Sequence, residues 1–125
     1  NKKVLRVMSG EGDCSVKVWS MESGGCMYTL TGHRSAVVAA VFSPNGERVL
    51  TASLDMSAKI WSTETCMCLH TLSGHNGCVW SAVFAPDGAR VIIIGANSAK
   101  ILSVESGVCL RSFPFSERVL SWSWH

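Results

Sequence analysis

The chain has 125 residues, 47% of them hydrophobic and 16% charged, with a formal net charge of +2. This is room for one small domain or part of a larger one, and it is too apolar for a disordered segment; the 11 basic and 9 acidic residues are too evenly mixed to form a nucleic-acid-binding face. The longest apolar runs, such as Val37–Phe42 and Val91–Ala96, fall far short of the roughly 18 residues a membrane-spanning helix needs, and no charged segment leads into an apolar run as in a secretory leader.

From the N-terminus, the first patterned segment is Arg6–Trp19 (RVMSGEGDCSVKVW), which aligns without gaps on Arg48–Trp61 (RVLTASLDMSAKIW). Trp19 and Trp61, Cys26 and Cys68, Gly32-His33 and Gly74-His75, and Pro44 and Pro86 are each 42 positions apart. A fixed period of this size marks a stacked-repeat architecture. The middle copy reads as four short strands, Val37–Phe42, Arg48–Ser53, Ala58–Ser62 and Cys68–Leu72, built from β-branched, aromatic and small residues. Ser43-Pro44-Asn45-Gly46 joins the first two, with Pro to set φ and Asn-Gly to supply a positive one. The third copy, Arg90–Leu102 (RVIIIGANSAKIL), is one residue shorter, so Cys68 and Cys109 are 41 apart. The stretch Phe113–Trp124 reads as the start of a fourth copy, with Pro114-Phe115 in place of Gly-His.

The chain therefore divides into residues 1–31, carrying the second to fourth strands of a first unit; 32–73, a second unit; 74–113, a third; and 114–125, the first strand of a fourth. VVAAVF and VIIIGA are apolar on both sides, which predicts sheets buried on both faces. Ala39, Ala40 and Ala82 are small enough to let such sheets converge on a narrow axis. Trp122 and Trp124 alternate with Ser121 and Ser123 and are expected in the core between sheets.

Gly32-His33, Phe42-Ser43-Pro44-Asn45-Gly46, Ser53-Leu54-Asp55 and Ile60-Trp61-Ser62 together resemble the WD40 repeat family, over nearly the whole chain. The resemblance implies an all-β fold of β-propeller blades, each a four-stranded antiparallel sheet, with about three blades' worth of strands here. Such propellers close with about four to eight blades. The ring is thus expected to be incomplete unless more of a longer chain, or further copies of this one, supply the rest.

The resemblance also implies a buried polar network joining His33, Thr51 or Ser53, Asp55 and Trp61. Buried polar groups must be paired, and an Asp–His–hydroxyl–indole chain satisfies each member. The first copy offers Ser9, Asp13 and Trp19; the third offers His75 and Asn97, with Ile93, Gly95 and Leu102 at the remaining positions. His, Ser and Asp also invite a hydrolase reading, but the hydroxyl lies within a strand and lacks a nucleophile elbow. Cys26, Cys68 and Cys109 share one repeat position and read as small buried hydrophobes. Cys66-x-Cys68 lacks a second ligand pair, so neither a zinc site nor a disulfide framework is expected. No metal and no cofactor is predicted. Free thiols fit a reducing compartment, cytoplasmic or nuclear.

In propellers of this family, partners often dock on the face bearing the Gly-His segments and the turns before the third strands. The corresponding positions are Arg34, Ala36, Val38 and Leu54 in the middle copy, Asn76, Cys78, Trp80 and Ala96 in the third, and Gly12 in the first. The function implied is a non-catalytic scaffold for other proteins or peptides, with no nucleic acid and no membrane insertion. The alternative is a regulatory or sensor module of a larger protein such as a kinase, an NTPase or a ubiquitin-ligase adaptor.

Overall fold

The computed structural model describes residues 3–10, 13–72, 79–96 and 98–114, with side chains described from residue 14 onward. Eleven strands are found among them and no helix: β1 (Lys3–Gly10), β2 (Asp13–Ser20), β3 (Cys26–Leu30), β4 (Val37–Phe42), β5 (Arg48–Ser53), β6 (Ala58–Ser62), β7 (Cys68–Leu72), β8 (Val79–Phe84), β9 (Arg90–Gly95), β10 (Ser98–Ser103) and β11 (Cys109–Pro114). They form three antiparallel sheets, ordered β1-β2-β3, β4-β5-β6-β7 and β8-β9-β10-β11. This is the expected all-β blade architecture in an unclosed ring. No helix among the described residues is long and apolar enough to cross a membrane. The fourth-copy strand predicted near Trp122 and Trp124 lies outside the described residues.

Local chemistry sets the strand ends. In the turn after β4, Gly46 N–H donates to Ser43 C=O at 2.9 Å with Pro44 and Asn45 between them, and Gly46 then takes φ +75°. Gly88 repeats this at φ +74° in the turn after β8. A Cβ would be strained in this left-handed region. The two turns lie side by side: a Cβ added at Gly88 would stand 3.5 Å from the Pro44 ring.

The core lies between the sheets rather than within one. Leu50, Ala52, Ala58, Ile60 and Leu72 of the second sheet pack against Val79, Ala82, Val91, Ile93 and Leu102 of the third. Val16, Val18 and Leu30 of the first sheet pack against Val37, Val49 and Trp61 of the second. Each fully buried Leu, Ile or Val among them contributes about 1.5–3 kcal/mol by leaving water. Alternation along β9 sends Ile92 and Ile94 to the other face of the third sheet, where they cluster with Ala99. The central strands are thus apolar on both faces, as VIIIGA predicts. A polar clasp joins second and third sheets at their outer edge, where His70 Nε2–H donates to the Glu105 carbonyl at 2.9 Å.

One expectation is corrected here. Cys26, Cys68 and Cys109 are exposed rather than buried. They sit on β3, β7 and β11, the last strand of each sheet, which faces outward. Each lies opposite a β-bulge, paired with Trp19, Trp61 or Leu102. Each thiol donates to the carbonyl two residues on, at 3.3–3.5 Å. Asp13 matches Asp55 in the sequence alignment of the two copies. It is the first residue of β2, paired with Gly10. The β1–β2 register differs by three positions from that of β5–β6: Arg6 faces Lys17, whereas Arg48 faces Ser62. In the second sheet the segment entering β4 holds the corresponding turn out of the ladder. The β1–β2 ladder runs on to Gly10 and Asp13.

Candidate functional site

Antiparallel connectivity gives each sheet two ends. One end carries the segment from Gly32 to Ala36 that enters β4 and the turn from Leu54 to Ser57 between β5 and β6. These two pieces are tied together by a buried chain of hydrogen bonds. Trp61 Nε1–H donates to Thr51 Oγ1 at 3.0 Å, and the Thr51 hydroxyl lies 2.7 Å from His33 Nε2. His33 Nδ1 lies 3.0 Å from Asp55 Oδ2. An ionised carboxylate only accepts, so Nδ1 carries the proton and Nε2 accepts from Thr51. One neutral tautomer satisfies all four side chains. The His33 and Trp61 rings also meet edge to face, with centroids 6.5 Å apart.

Asp55 is the anchor. Its Oδ2 also accepts from Arg34 N–H at 3.0 Å. Its Oδ1 accepts from Ser57 N–H at 2.9 Å and from the Ser57 hydroxyl at 2.6 Å. Burial acts to raise its pKa, but the bonds from Ser57, Arg34 and His33 outweigh this and hold the carboxyl well below the usual carboxylate range. Burial pushes the His33 imidazole below its ordinary value, only partly opposed by Asp55.

Of the two hydroxyls left open by the sequence, Thr51 is the network member. Ser53 braces the turn from beside it, its hydroxyl donating to Ser35 C=O at 3.0 Å and accepting from Asp55 N–H at 3.1 Å. Ser57 and the Arg34 backbone were missed. The signal for Ser57 is the Asp-x-Ser spacing, at which an Asp side chain bonds the backbone two residues on.

The other copies differ. Trp19 Nε1 is buried and has no hydrogen-bond partner among the described residues. Ser9 and Asp13 are placed only by their backbones, and His75 and Asn97 lie outside the described residues. In the third sheet Ile93 and Leu102 occupy the Thr51 and Trp61 positions and are buried in the apolar core. There the polar network is replaced by packing.

The carboxylate–imidazole–hydroxyl order has the atoms of a catalytic relay. Thr51, however, is 0% exposed, and its oxygen is already shared by an imidazole and an indole. No substrate atom reaches it. Among the described residues no group of three or more His, Cys, Asp or Glu could hold a metal ion.

The surface of this end is apolar and basic. Val38 and Trp80 are each the extra residue of a β-bulge. Pairing passes from Val37↔Ser53 to Ala39↔Ala52 in one sheet, and from Val79↔Gly95 to Ser81↔Ile94 in the other. Bulges re-aim side chains, and Val38 and Trp80 are 42% and 39% exposed. Leu54, at the tip of its turn, is 44% exposed. Arg34 is exposed, and Ala36 and Ala96 are half-buried. Gly12, Asn76 and Cys78 lie outside the described residues.

The family model "WD domain, G-beta repeat" matches residues 24–62 and 66–104, more than half of the chain. With the blade-like sheets and the His33–Asp55 clasp, this places the chain in the WD40 repeat family, generally a non-catalytic interaction module. Similar proteins include nuclear distribution protein PAC1 of Mycosarcoma maydis, 42% identical over 36% of this chain and 10% of that protein. WD40 repeat-containing protein HOS15 of Arabidopsis thaliana is 40% identical over 38% of this chain and 8% of its own length. Transducin beta-like protein 3 of Bos taurus is 38% identical over 38% and 6%. The aligned region spans a tenth or less of each of these relatives.

Proposed function

We propose that this chain contributes blades to a WD40 scaffold that holds other proteins or peptides on the end of its sheets bearing the Gly-His segments. The observation that carries the reading is the pair of bulges that turn Val38 and Trp80 outward at equivalent positions of neighbouring sheets. An interaction surface needs preformed exposed apolar anchors on a rigid base, and Trp is enriched among such anchors. The base is supplied by the Asp55–His33–Thr51–Trp61 chain, which pins the turn carrying Leu54 to the segment carrying Arg34. Arg34, Ala36, Val38, Leu54, Trp80 and Ala96 form the contact surface, with Gly12, Asn76 and Cys78 at matching sequence positions.

The ring is completed by further sheets, from a longer polypeptide or from further copies of this chain, in an intracellular setting, cytoplasmic or nuclear. The small share of each relative that aligns favours a repeat module within a larger protein. The test is photo-crosslinking in the full-length protein from a reactive residue at position 38 or 80, against positions 64 and 105 at the opposite end. Protein adducts confined to the first pair support the reading. Equal adducts at both ends, or none at the first pair, refute it.

A further inference from the structure

The charged side chains are sorted along the sheets. At the end bearing the Gly-His segment lie Lys17, Arg34, Lys59 and Lys100, against Asp55 and, at the start of β2, Asp13. At the other end the turns carry Glu22, Glu47, Glu64, Asp87 and Glu105, against Lys3, Arg48 and Arg90. The sorting is clearest in the second and third sheets, whereas in the first Asp13 stands at the Gly-His end and Lys3, paired with Ser20, at the other. Lys17, Lys59 and Lys100 occupy one repeat position, in the third strand of the unit, and Glu22, Glu64 and Glu105 another, in the turn that follows that strand. Lys17 Nζ is held by Thr29 Oγ1 at 3.2 Å and Lys59 Nζ by Thr71 Oγ1 at 2.9 Å, so equivalent bonds set both ammonium groups.

Beside Lys59 a cavity of about 330 Å³ is lined by Gly32, Arg34, Asp55, Ser57, Lys59 and Thr71. The Asp55 carboxylate accepts four hydrogen bonds, two on each oxygen, which fills its acceptor sites. The carboxylate stays ionised in the lining, where Arg34 and Lys59 set two positive charges against its one. The Arg34 guanidinium and the Lys59 ammonium set the polarity of the opening. The exposed apolar side chains Val38, Leu54 and Trp80 lie at the same end.

We propose that this end docks an acidic polypeptide segment, rich in Asp and Glu and carrying apolar side chains, with a carboxylate seated between Arg34 and Lys59. The proposal rests on the scaffold reading and deepens it. Complementary charge steers such a partner onto this end and repels it from the Glu22–Glu64–Glu105 end. A carboxylate suits the paired guanidinium and ammonium, and the repeated lysines extend the track to the neighbouring sheets. The bulged Val38 and Trp80 then bury the apolar residues of the segment.

The test is fluorescence anisotropy on the full-length protein with three labelled probes: a Glu-rich peptide containing Leu and Trp, the same peptide with Lys for Glu, and a single-stranded oligonucleotide. The acidic peptide is expected to bind, more weakly as salt rises through the range that screens surface charge. R34Q/K59Q is expected to weaken it about tenfold or more, whereas E64Q/E105Q leaves it unchanged or tightens it. Unchanged thermal midpoints and restoration by K59R separate loss of charge from loss of fold. Failure of the acidic peptide to bind overturns the proposal, as does an equal loss in the two double variants. Binding of the Lys peptide that W80A abolishes and R34Q/K59Q does not overturns the acidic class but leaves the scaffold reading standing. An oligonucleotide that binds more tightly than the acidic peptide overturns the proposal in favour of nucleic acid.

Discussion

Replacing Asp55 with Ala removes the acceptor of four hydrogen bonds. The donors are not equally harmed. Arg34 N–H lies at an exposed residue and can bond water, whereas His33 and Ser57 are only 8% and 9% exposed. A buried donor left unsatisfied costs about 1–3 kcal/mol. With His33 and Ser57 both stranded and the small cavity partly hydrated, Asp55→Ala should destabilise by about 2–4 kcal/mol. Thr51→Val keeps the volume but strands Trp61 Nε1–H, and should cost about 1–3 kcal/mol. The two changes share His33, so the double variant should lose less than the sum of the singles. The pH dependence has a fixed sign. His33 and Asp55 both titrate below their ordinary values in the folded chain, so on acidification the unfolded chain takes up protons first. The stabilisation from His33 is complete above its ordinary pKa of 6.5, and that from Asp55 above 3.8. Both are lost as pH falls through the folded-state values. Urea unfolding of the full-length protein at pH 7 and at stepwise lower pH measures all of this. An Asp55→Ala variant within about 0.5 kcal/mol of the parent, the range of ordinary surface changes, would refute the anchoring role of Asp55.

Cys66 takes φ +63° where the matching positions hold Gly24 and Gly107 at +71° and +72°; Cys66→Gly should stabilise by about 0.5–1 kcal/mol, the left-handed strain relieved less some lost packing, read as a higher urea midpoint. Gly107→Ala should destabilise by about 1–3 kcal/mol, because the new Cβ would stand 2.9 Å from His70 Nδ1 and push His70 off the Glu105 carbonyl; an unchanged midpoint would mean that the clasp adds nothing to stability. Cys26, Cys68 and Cys109 should react with a water-soluble maleimide before Cys14 and Cys66, as their exposure dictates, and peptide mass mapping at partial labelling checks the order.

The repeat period, with Gly-His, Pro-Asn-Gly and Trp recurring in step, determined by itself the all-β class, and the four strands of the middle copy end where the sequence places them. These features are local: a turn needs Pro and a positive-φ Gly, and a strand buried on both faces needs a continuous apolar run. The anchor was half legible. His33, Asp55 and Trp61 could be named, but the choice of Thr51 over Ser53, and the part of Ser57, depend on which hydroxyl points at the imidazole across 18 or more residues of chain. Only the tertiary structure decided which cysteines meet solvent, because that depends on which strand of each sheet faces outward. It alone showed that Val38 and Trp80 sit on bulges, since a bulge is a mismatch between two strands and is written in neither. The β1–β2 register was likewise beyond the sequence, which aligns Arg6–Trp19 on Arg48–Trp61 without a gap although the two pairings differ. Residue identity sets what each side chain can bond, and only the packing of the sheets brings its partner within reach.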